Sequence, residues 1–478
     1  MEESLRPTGG DRRELRTLLT LALLIIAFAA FLKWGVTESE LTVQGVIVAV
    51  LTLGMFTLAL VLAVPNAIRF FSGAAEHAPR PAGDRSSARR RLHPVLGVML
   101  TVLAARAAVV VIAYIFARVF SQEHGSVFSS LERIWLKLDT DAPHYIDIAE
   151  NGYVTSGDQM YSLVFLPLFP ALIRLFNYIF GSSFASAMFI NTLASCGAAA
   201  VIYELALLDT GRRSARFAVV FTFAMPAAIF FIAPMSEALF LLLSALALYC
   251  MRRERFLLAA LFGALAALTR SLGLILLMPY IAEAAACLVR KKKSGESKPG
   301  FIVLLIGGAV IICLGTFVYL IINKLLWGEW FKFMEFQRDI WYQRPALFFD
   351  TAALQVDMLF ASFGVANDEA LGLWLPNLLF IFGALAVFVS SARTLRTSYS
   401  LYFAAYFAVA CGASWLLSAP RYLTALVVLP LALAHLCESR DDGVALGRAR
   451  AKAAVVTVLL VIGQLFYLLM YTADYCIY

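Results

Sequence analysis

The sequence predicts an all-α polytopic membrane protein with about 13 transmembrane helices, and three observations carry that expectation. Of the 478 residues, 61% are hydrophobic and 15% charged, whereas soluble globular chains hold roughly 45–50% apolar and about 25% charged residues. Apolar runs recur from end to end, and about 18 such residues suffice to cross a bilayer as a helix. Lipid offers no partner to backbone N–H and C=O groups, so a spanning element is a helix or a closed barrel. Barrel strands would alternate in polarity over about ten residues, and that pattern is not seen here.

Orientation follows from the basic residues. Lys and Arg gather at Arg12–Arg16, Arg80–Arg91, Arg212–Arg216, Arg252–Arg255, Arg290–Lys298, Arg393–Arg396 and Arg448–Lys452, and loops with such an excess stay in the cytoplasm. Helices threaded between them fall at 15–35, 41–66, 94–120, 184–208, 215–233, 238–251, 256–269, 271–289, 300–326, 371–392, 398–417, 422–437 and 453–471. The N-terminus is then cytoplasmic and the C-terminus outside.

The first run, Leu15 to Trp34, follows three arginines as a signal peptide would. No small-residue cleavage site follows it, and it is long enough to stay as a helix. The segments Phe256–Thr269 and Leu423–Cys437 are short for a bilayer and leave room for a cavity or interfacial loops. Leu163–Phe180 is apolar but carries Pro167, Pro170 and Arg174. Were it to span, Arg212–Arg216 would face outward, so an interfacial or re-entrant helix on the outer side is expected.

Composition also excludes several classes. The net charge of +7 resides in the short orienting loops, which argues against nucleic-acid binding. The seven cysteines are scattered singly, with neither a disulfide framework nor a zinc-ligand spacing. The cytoplasmic loops lack a Gly-rich phosphate-binding pattern, so nucleotide chemistry inside the cell is not expected.

The polar patches that remain fall on the outer side. The densest is KLDTDAPHYIDIAENGY, 137–153, which holds Asp139, Asp141, His144, Asp147 and Glu150. Asp141 stands before Ala142-Pro143, at the N-cap of a helix ending near Gly152. It is a structural cap, an outward-facing general base, or both. Asp139 and Asp141 form a D-x-D spacing that resembles a metal-ligand pair but is common in polar loops. Asp147 and Glu150 read as a solvated face. His144 is either a proton shuttle or a hydrogen-bonded structural residue.

Further along lie Ser236–Glu237, Arg270, the loop 328–345 and Ser418–Tyr422. Arg270 and Arg421 stand beside the apolar region, where a charge faces a cavity, a partner or lipid headgroups. Arg106 lies mid-span, and the sequence assigns it no partner. Aromatic residues between Trp327 and Trp341 read equally as an interfacial belt or as a ligand-binding loop.

These pieces resemble a known family. TDAPHYIDIAENGY at 140–153 and VFLPLFP at 164–170 are similar to the R-W-D-x-x-H-Y, I-A-x-x-G-Y and F-F-P-L-Y-P signature of the GPI second-mannose transferases, the PIG-V-like family. APMSEALF at 233–240 is similar to that family's Y-S-E-S-L-F, and LTRSLG at 268–273 to its T-R-S-x-G turn. The loop with Phe333, Gln337 and Trp341, and SAPRY at 418–422, also look like family features. The chain departs from the pattern in having Asp139-Thr140 for the arginine and tryptophan before the aspartate. It also has Met235 for the tyrosine before Ser236-Glu237, and its first two helices look like an N-terminal addition.

The resemblance implies a GT-C-type glycosyltransferase that takes a hexose, mannose by family default, from a polyprenyl-phosphate donor on the extracytoplasmic face. A glycolipid or glycan is the implied acceptor. By position, Asp141 is the expected base, with His144 and Glu237 orienting it or the acceptor. Arg270 and Arg421 would hold the phosphate, with Lys332 a weaker candidate, and the sugar would lie against the loop with Gln337 and Trp341. Asp139, Tyr145 and Tyr422, within or beside the matched motifs, complete the substrate-binding set.

A lipid monophosphate leaving group can be neutralised by side chains, so no metal and no cofactor beyond the lipid-linked co-substrate are expected. The organisation expected is a hairpin with a basic cytoplasmic loop at 1–93, a GT-C-like catalytic module at 94–289 with outer loop 121–183, and a C-terminal module at 290–478 with outer loop 327–370. Membrane lipids surround the whole. A prokaryotic plasma membrane is favoured over the endoplasmic reticulum. The alternative reading is a polytopic transporter or lipid flippase, for which internal repeats would be expected.

Overall fold

The computed structural model describes residues 9–38, 42–73, 88–120, 125–137, 140–296, 298–438, 444–473 and 475. Apolar runs with no water to satisfy their backbones become helices, and the described residues are helical almost throughout. The first are α1 (Gly9–Thr37), α2 (Val43–Phe71), α3 (Ala88–Phe120) and α4 (Val127–Trp135). There follow α5 (Ala142–Asn151), α6 (Leu168–Phe180), α7 (Ser183–Ala206), α8 (Arg212–Ala224), α9 (Glu237–Arg252) and α10 (Phe256–Thr269). The second half holds α11 (Leu277–Lys293), α12 (Pro299–Trp327), α13 (Lys332–Asp339), α14 (Phe348–Ser362) and α15 (Asn367–Glu369). It closes with α16 (Leu375–Ser391), α17 (Thr397–Ala410), α18 (Ala419–Thr424), α19 (Val428–Leu436) and α20 (Val444–Thr472).

Eight helices among the described residues are long and apolar enough to cross a membrane: 13–37, 43–71, 94–120, 183–206, 271–293, 299–327, 367–391 and 446–472. The other five expected spans form the shorter elements α8, α9, α10, α17 and α18–α19. A count of thirteen therefore rests on these short elements. Leu163–Phe180 does not run straight: a 3₁₀ turn over Asp158–Val164 meets α6 at a bend of 114°. Pro167 stands at that bend and Pro170 in the first turn of α6, where proline's missing N–H costs the helix nothing.

One continuous buried cluster runs from Trp34 to Tyr471. In it α10 and α12 pack without side chains between them at one point: a Cβ on Gly315 would lie 2.2 Å from the Ala264 carbonyl oxygen. The N-terminal hairpin is tied to α14 by polar bonds. Trp34 Nε1 donates to Asp350 at 2.8 Å, and Thr42 Oγ1 donates to Asp357 at 2.6 Å.

The two ends of α9 belong to different charge networks. At its C-terminus Arg252 binds both oxygens of Asp209 at 2.6 and 2.8 Å and donates to Tyr399 Oη at 2.6 Å. Nearby, Arg396 grips both oxygens of Glu283 at 2.6 and 2.9 Å. At the N-terminus stands Glu237. With 16 residues in α9, the two ends are about 24 Å apart.

Between α8 and α9 the chain leaves the α-helix for a 3₁₀ turn, Pro226–Phe231, and an irregular stretch to Ser236. Carbonyls freed there need donors, since water is excluded, and α3 and α7 supply them. Asn191 Nδ2 donates to Ala233 O at 2.5 Å and to Met235 O at 3.0 Å. Arg106 Nη1 donates to Phe231 O at 2.6 Å and to Ser195 Oγ at 2.8 Å, and its Nη2 to Thr192 Oγ1 at 3.3 Å. The mid-span arginine is thus a backbone clamp.

Candidate active site

Asp141 occupies the N-cap position of α5, as the sequence indicates, but it does not cap the helix. Its backbone is itself helical, φ −69° and ψ −17°, and its side chain makes no capping bond. A capping side chain folds back from an extended backbone, and that conformation is absent here. At the far end Gly152, with φ of 79°, closes α5 in a conformation that side chains disfavour. The carboxylate is left for another partner: Asp141 Oδ2 lies 2.7 Å from Arg421 Nη1.

Arg421 projects from α18, whose first turn contains Pro420 and whose Ala419 N–H donates to Asn377 Oδ1 at 3.0 Å. Its Nε lies 3.2 Å from Glu237 Oε1. Arg270, in extended conformation where α10 ends, places Nη1 2.5 Å from the same Glu237 oxygen and donates to Ser236 Oγ at 3.2 Å. Ser236 Oγ is also 2.9 Å from Tyr145 Oη. The Tyr422 ring lies 5.3 Å from the Arg270 guanidinium and 5.4 Å from that of Arg421, within the range of cation–π attraction. Tyr406 fixes that segment by donating to the Tyr422 carbonyl at 2.8 Å.

Two guanidiniums and two carboxylates thus meet across α5, α9, α10 and α18, drawn from positions up to 280 residues apart. Arginine does not lose its proton in proteins, so the cluster is formally neutral when both acids are ionised. Its members differ in exposure: 1% for the Glu237 side chain, 6% for Arg421, 11% for Arg270 and 20% for Asp141. Both arginines approach Glu237 through Oε1, and Oε2 is buried with no hydrogen-bond partner. A buried carboxylate oxygen without a donor is costly and is poised to accept one.

His144 lies one turn along α5, with Nδ1 2.8 Å from Ser162 Oγ. Its ring stacks on Phe165 at 4.8 Å and meets Trp341 edge-on at 5.5 Å. Burial pushes its pKa below the usual histidine value, against the opposing pull of Asp141 and Asp147. The neutral imidazole therefore prevails at neutral pH.

Six of the residues singled out in the sequence come together: Asp141, Tyr145, Glu237, Arg270, Arg421 and Tyr422. His144 and Trp341 form an aromatic flank beside them. Lys332 binds Glu335 at 2.9 Å, and Gln337 bonds Gln343 at 2.5 Å, both in the α13 loop. Asp139 lies outside the described residues. Ser236, which the sequence offered as part of the Ser236–Glu237 patch without a role, shares the cluster. The clamp of Asn191 and Arg106 was missed, although the polar row Asn191, Thr192 and Ser195 on apolar α7 is the signal that marks helix-to-helix hydrogen bonding. Arg174, donating to Ala149 O at 2.6 Å, pins α6 against the end of α5.

Residues 166–319 match the model of the family described as dolichyl-phosphate-mannose-protein mannosyltransferase. The matched segment is under half of the chain; it contains Glu237 and Arg270 but not Asp141 or Arg421. Among solved structures, the chain is similar to ArnT from Cupriavidus metallidurans bound to undecaprenyl phosphate. The identity is 14% over 78% of this chain and 74% of that one, with a TM-score of 0.47. It is also similar to the archaeal oligosaccharyltransferase AglB from Archaeoglobus fulgidus in complex with an inhibitory peptide and a dolichol-phosphate. There the identity is 13% over 78% of this chain and 56% of that one, with a TM-score of 0.38. At these values neither likeness transfers a ligand or a residue role. No curated protein sequence matches. The family match supports placement among the GT-C glycosyltransferases at the level of the superfamily; it does not name the second-mannose transferases that the motifs resemble.

Proposed function

We propose that this chain is a GT-C-type membrane glycosyltransferase that moves a hexose from a polyprenyl-phosphate-linked donor to the hydroxyl of an extracytoplasmic glycolipid or glycan. Mannose is the sugar that the motif resemblance favours. The observation that carries the reading is the buried cluster of Asp141, Arg421, Glu237 and Arg270, which unites a proton acceptor with two phosphate-binding cations.

In this reading the acceptor hydroxyl gives its proton to Asp141 while its oxygen bonds to the anomeric carbon. The bond from that carbon to the phosphate oxygen breaks, and the lipid monophosphate departs with the bonding electrons. Direct attack inverts the anomeric centre. Arg421 and Arg270 stabilise charge as it develops on the phosphate, through charge-assisted hydrogen bonds. Glu237 holds both arginines in place and offers Oε2 to a substrate hydroxyl. Neutral His144, with Phe165 and Trp341, walls the side on which the sugar would lie. The positive-inside assignment supports an opening away from the cytoplasm, with the N-terminus cytoplasmic and the plasma membrane as the setting.

The test is sugar transfer by the purified protein from polyprenyl-phosphate hexose donors to extracted glycolipids, read by mass spectrometry. Asp141→Asn should reduce turnover by about 10²–10⁴-fold while the protein stays folded. Wild-type turnover in that variant would remove Asp141 as the base. Substrate uptake or lipid movement in vesicles without any transfer would favour a transporter instead.

A further inference from the structure

The phosphate site is closed by its own carboxylates. Arg421 and Arg270 carry the positive charge, yet Asp141 and Glu237 neutralise it fully, with contacts of 2.5–3.2 Å. An incoming oxyanion meets no net charge, and it gains a full cation only by displacing one carboxylate. Glu237 is a poor candidate: its side chain is 1% exposed and it bridges both arginines. Asp141 is 20% exposed, meets Arg421 with Oδ2 at 2.7 Å, and does not cap its helix.

Resting on the glycosyltransferase reading, we infer that Asp141 is a built-in competitor of the substrate phosphate: the phosphate exchanges with the Asp141 carboxylate on Arg421, so that the base is set free only when donor is bound. Held at 2.7 Å on Arg421, the Asp141 carboxylate is turned to the guanidinium and away from the acceptor. Released, it is free to turn to the acceptor hydroxyl and take its proton. The order of events follows. Donor binds first, since the acceptor meets no active base before it.

The same exchange runs backwards after transfer. Asp141, having taken the acceptor proton, is neutral and no longer competes, while the departing monophosphate carries more negative charge than the diester it came from. Loss of the proton to water restores the Asp141 carboxylate, which reclaims Arg421 and expels the lipid phosphate. One side chain thereby serves as base and as the means of product release.

The experiment measures binding of undecaprenyl phosphate to the full-length protein in nanodiscs, which requires no turnover. Asp141→Asn, which abolishes the competing charge, should tighten binding by about tenfold, the scale of one charge-assisted hydrogen bond. Asp141→Ser is a second way to remove the charge if asparagine packs poorly, and should tighten binding likewise. Asp147→Asn deletes an equal charge on the same helix, where Asp147 accepts from Asn151 at 2.7 Å, and should leave affinity within about twofold.

Equal or weaker binding in the folded Asp141 variants overturns the exchange while leaving the donor reading intact. No binding by wild type or variants removes both. Inorganic phosphate forms a parallel arm. Tightening with it as well shows that phosphate charge alone drives the exchange, and tightening with the lipid only shows that the polyprenyl tail is needed to hold the phosphate there.

Discussion

His144 shows how a residue's chemistry is decided by packing rather than by type. Between Phe165 and Trp341 its ring is buried, and burial favours the neutral form. Its folded pKa lies below the unfolded value of about 6.5, so above that pH both states are neutral and stability does not respond to it. As pH falls below about 6.5 the unfolded chain takes up the proton first, and stability drops until the folded value is passed. Thermal unfolding in detergent should show this acid limb, and His144→Asn should flatten it; an unchanged limb would assign it to other groups. Asp141 offers the complementary lesson. Its place before Ala142-Pro143 was legible as a helix mouth, but its partner was not. Arg421 lies 280 residues away, and local spacing carries no information about a pair that only the fold assembles.

At the scale of elements, hydrophobic runs and basic loops were enough to find the eight long apolar helices, because in lipid an apolar run has almost no other way to satisfy its backbone. Phe256–Thr269 has the bounds that the sequence suggested, whereas the place of the bend before α6 was not read from the sequence, which offered only an interfacial or re-entrant helix there. The helix α14 was not foreseen inside the outer loop 327–370, since Asp350 and Asp357 interrupt its apolar pattern; they are spent on Trp34 and Thr42. The break before α9 was legible only as a short polar loop, and the side chains that hold it were not. Asn191→Leu should strand the carbonyls of Ala233 and Met235 and cost about 1–3 kcal/mol, seen as a lower unfolding temperature. Transfer should fall as well, although Asn191 touches none of the four charged residues. Asn191→Gln, which keeps the amide donor, should restore part of both. Full activity in the leucine variant would show that Glu237 is positioned without the clamp.

For the molecule as a whole, orientation decides where the chemistry happens. A cysteine placed at Glu329, in the expected outer loop, should react in intact cells with a maleimide that cannot cross membranes. One at Ser294, between the basic residues after α11, should react only after permeabilisation, in a background lacking the seven native cysteines. The reverse pattern would move the candidate site to the cytoplasm and exclude an extracytoplasmic acceptor. Organisation into three parts is not something the sequence could establish, because contacts between distant segments define a module and composition does not report them.

The shortness of α9 reaches beyond the protein to the bilayer. If its arginine end sits at the inner surface, a rise of about 24 Å leaves Glu237 about 6 Å beneath the far edge of a hydrocarbon slab about 30 Å thick. Because α9 is enclosed by its neighbours, the shortfall is taken up inside the protein, and water reaches down toward Glu237 from the outer side. Such a depth sorts the two ends of a lipid-linked sugar: the tail slides in sideways through oil while the polar end descends through water. It also makes lipid thickness a control on rate. Transfer should be fastest in vesicles of short-chain phosphatidylcholine and slow as the acyl chains lengthen, because a thicker slab sets the site deeper below the surface. A rate indifferent to chain length would mean that α9 does not set the depth of the site.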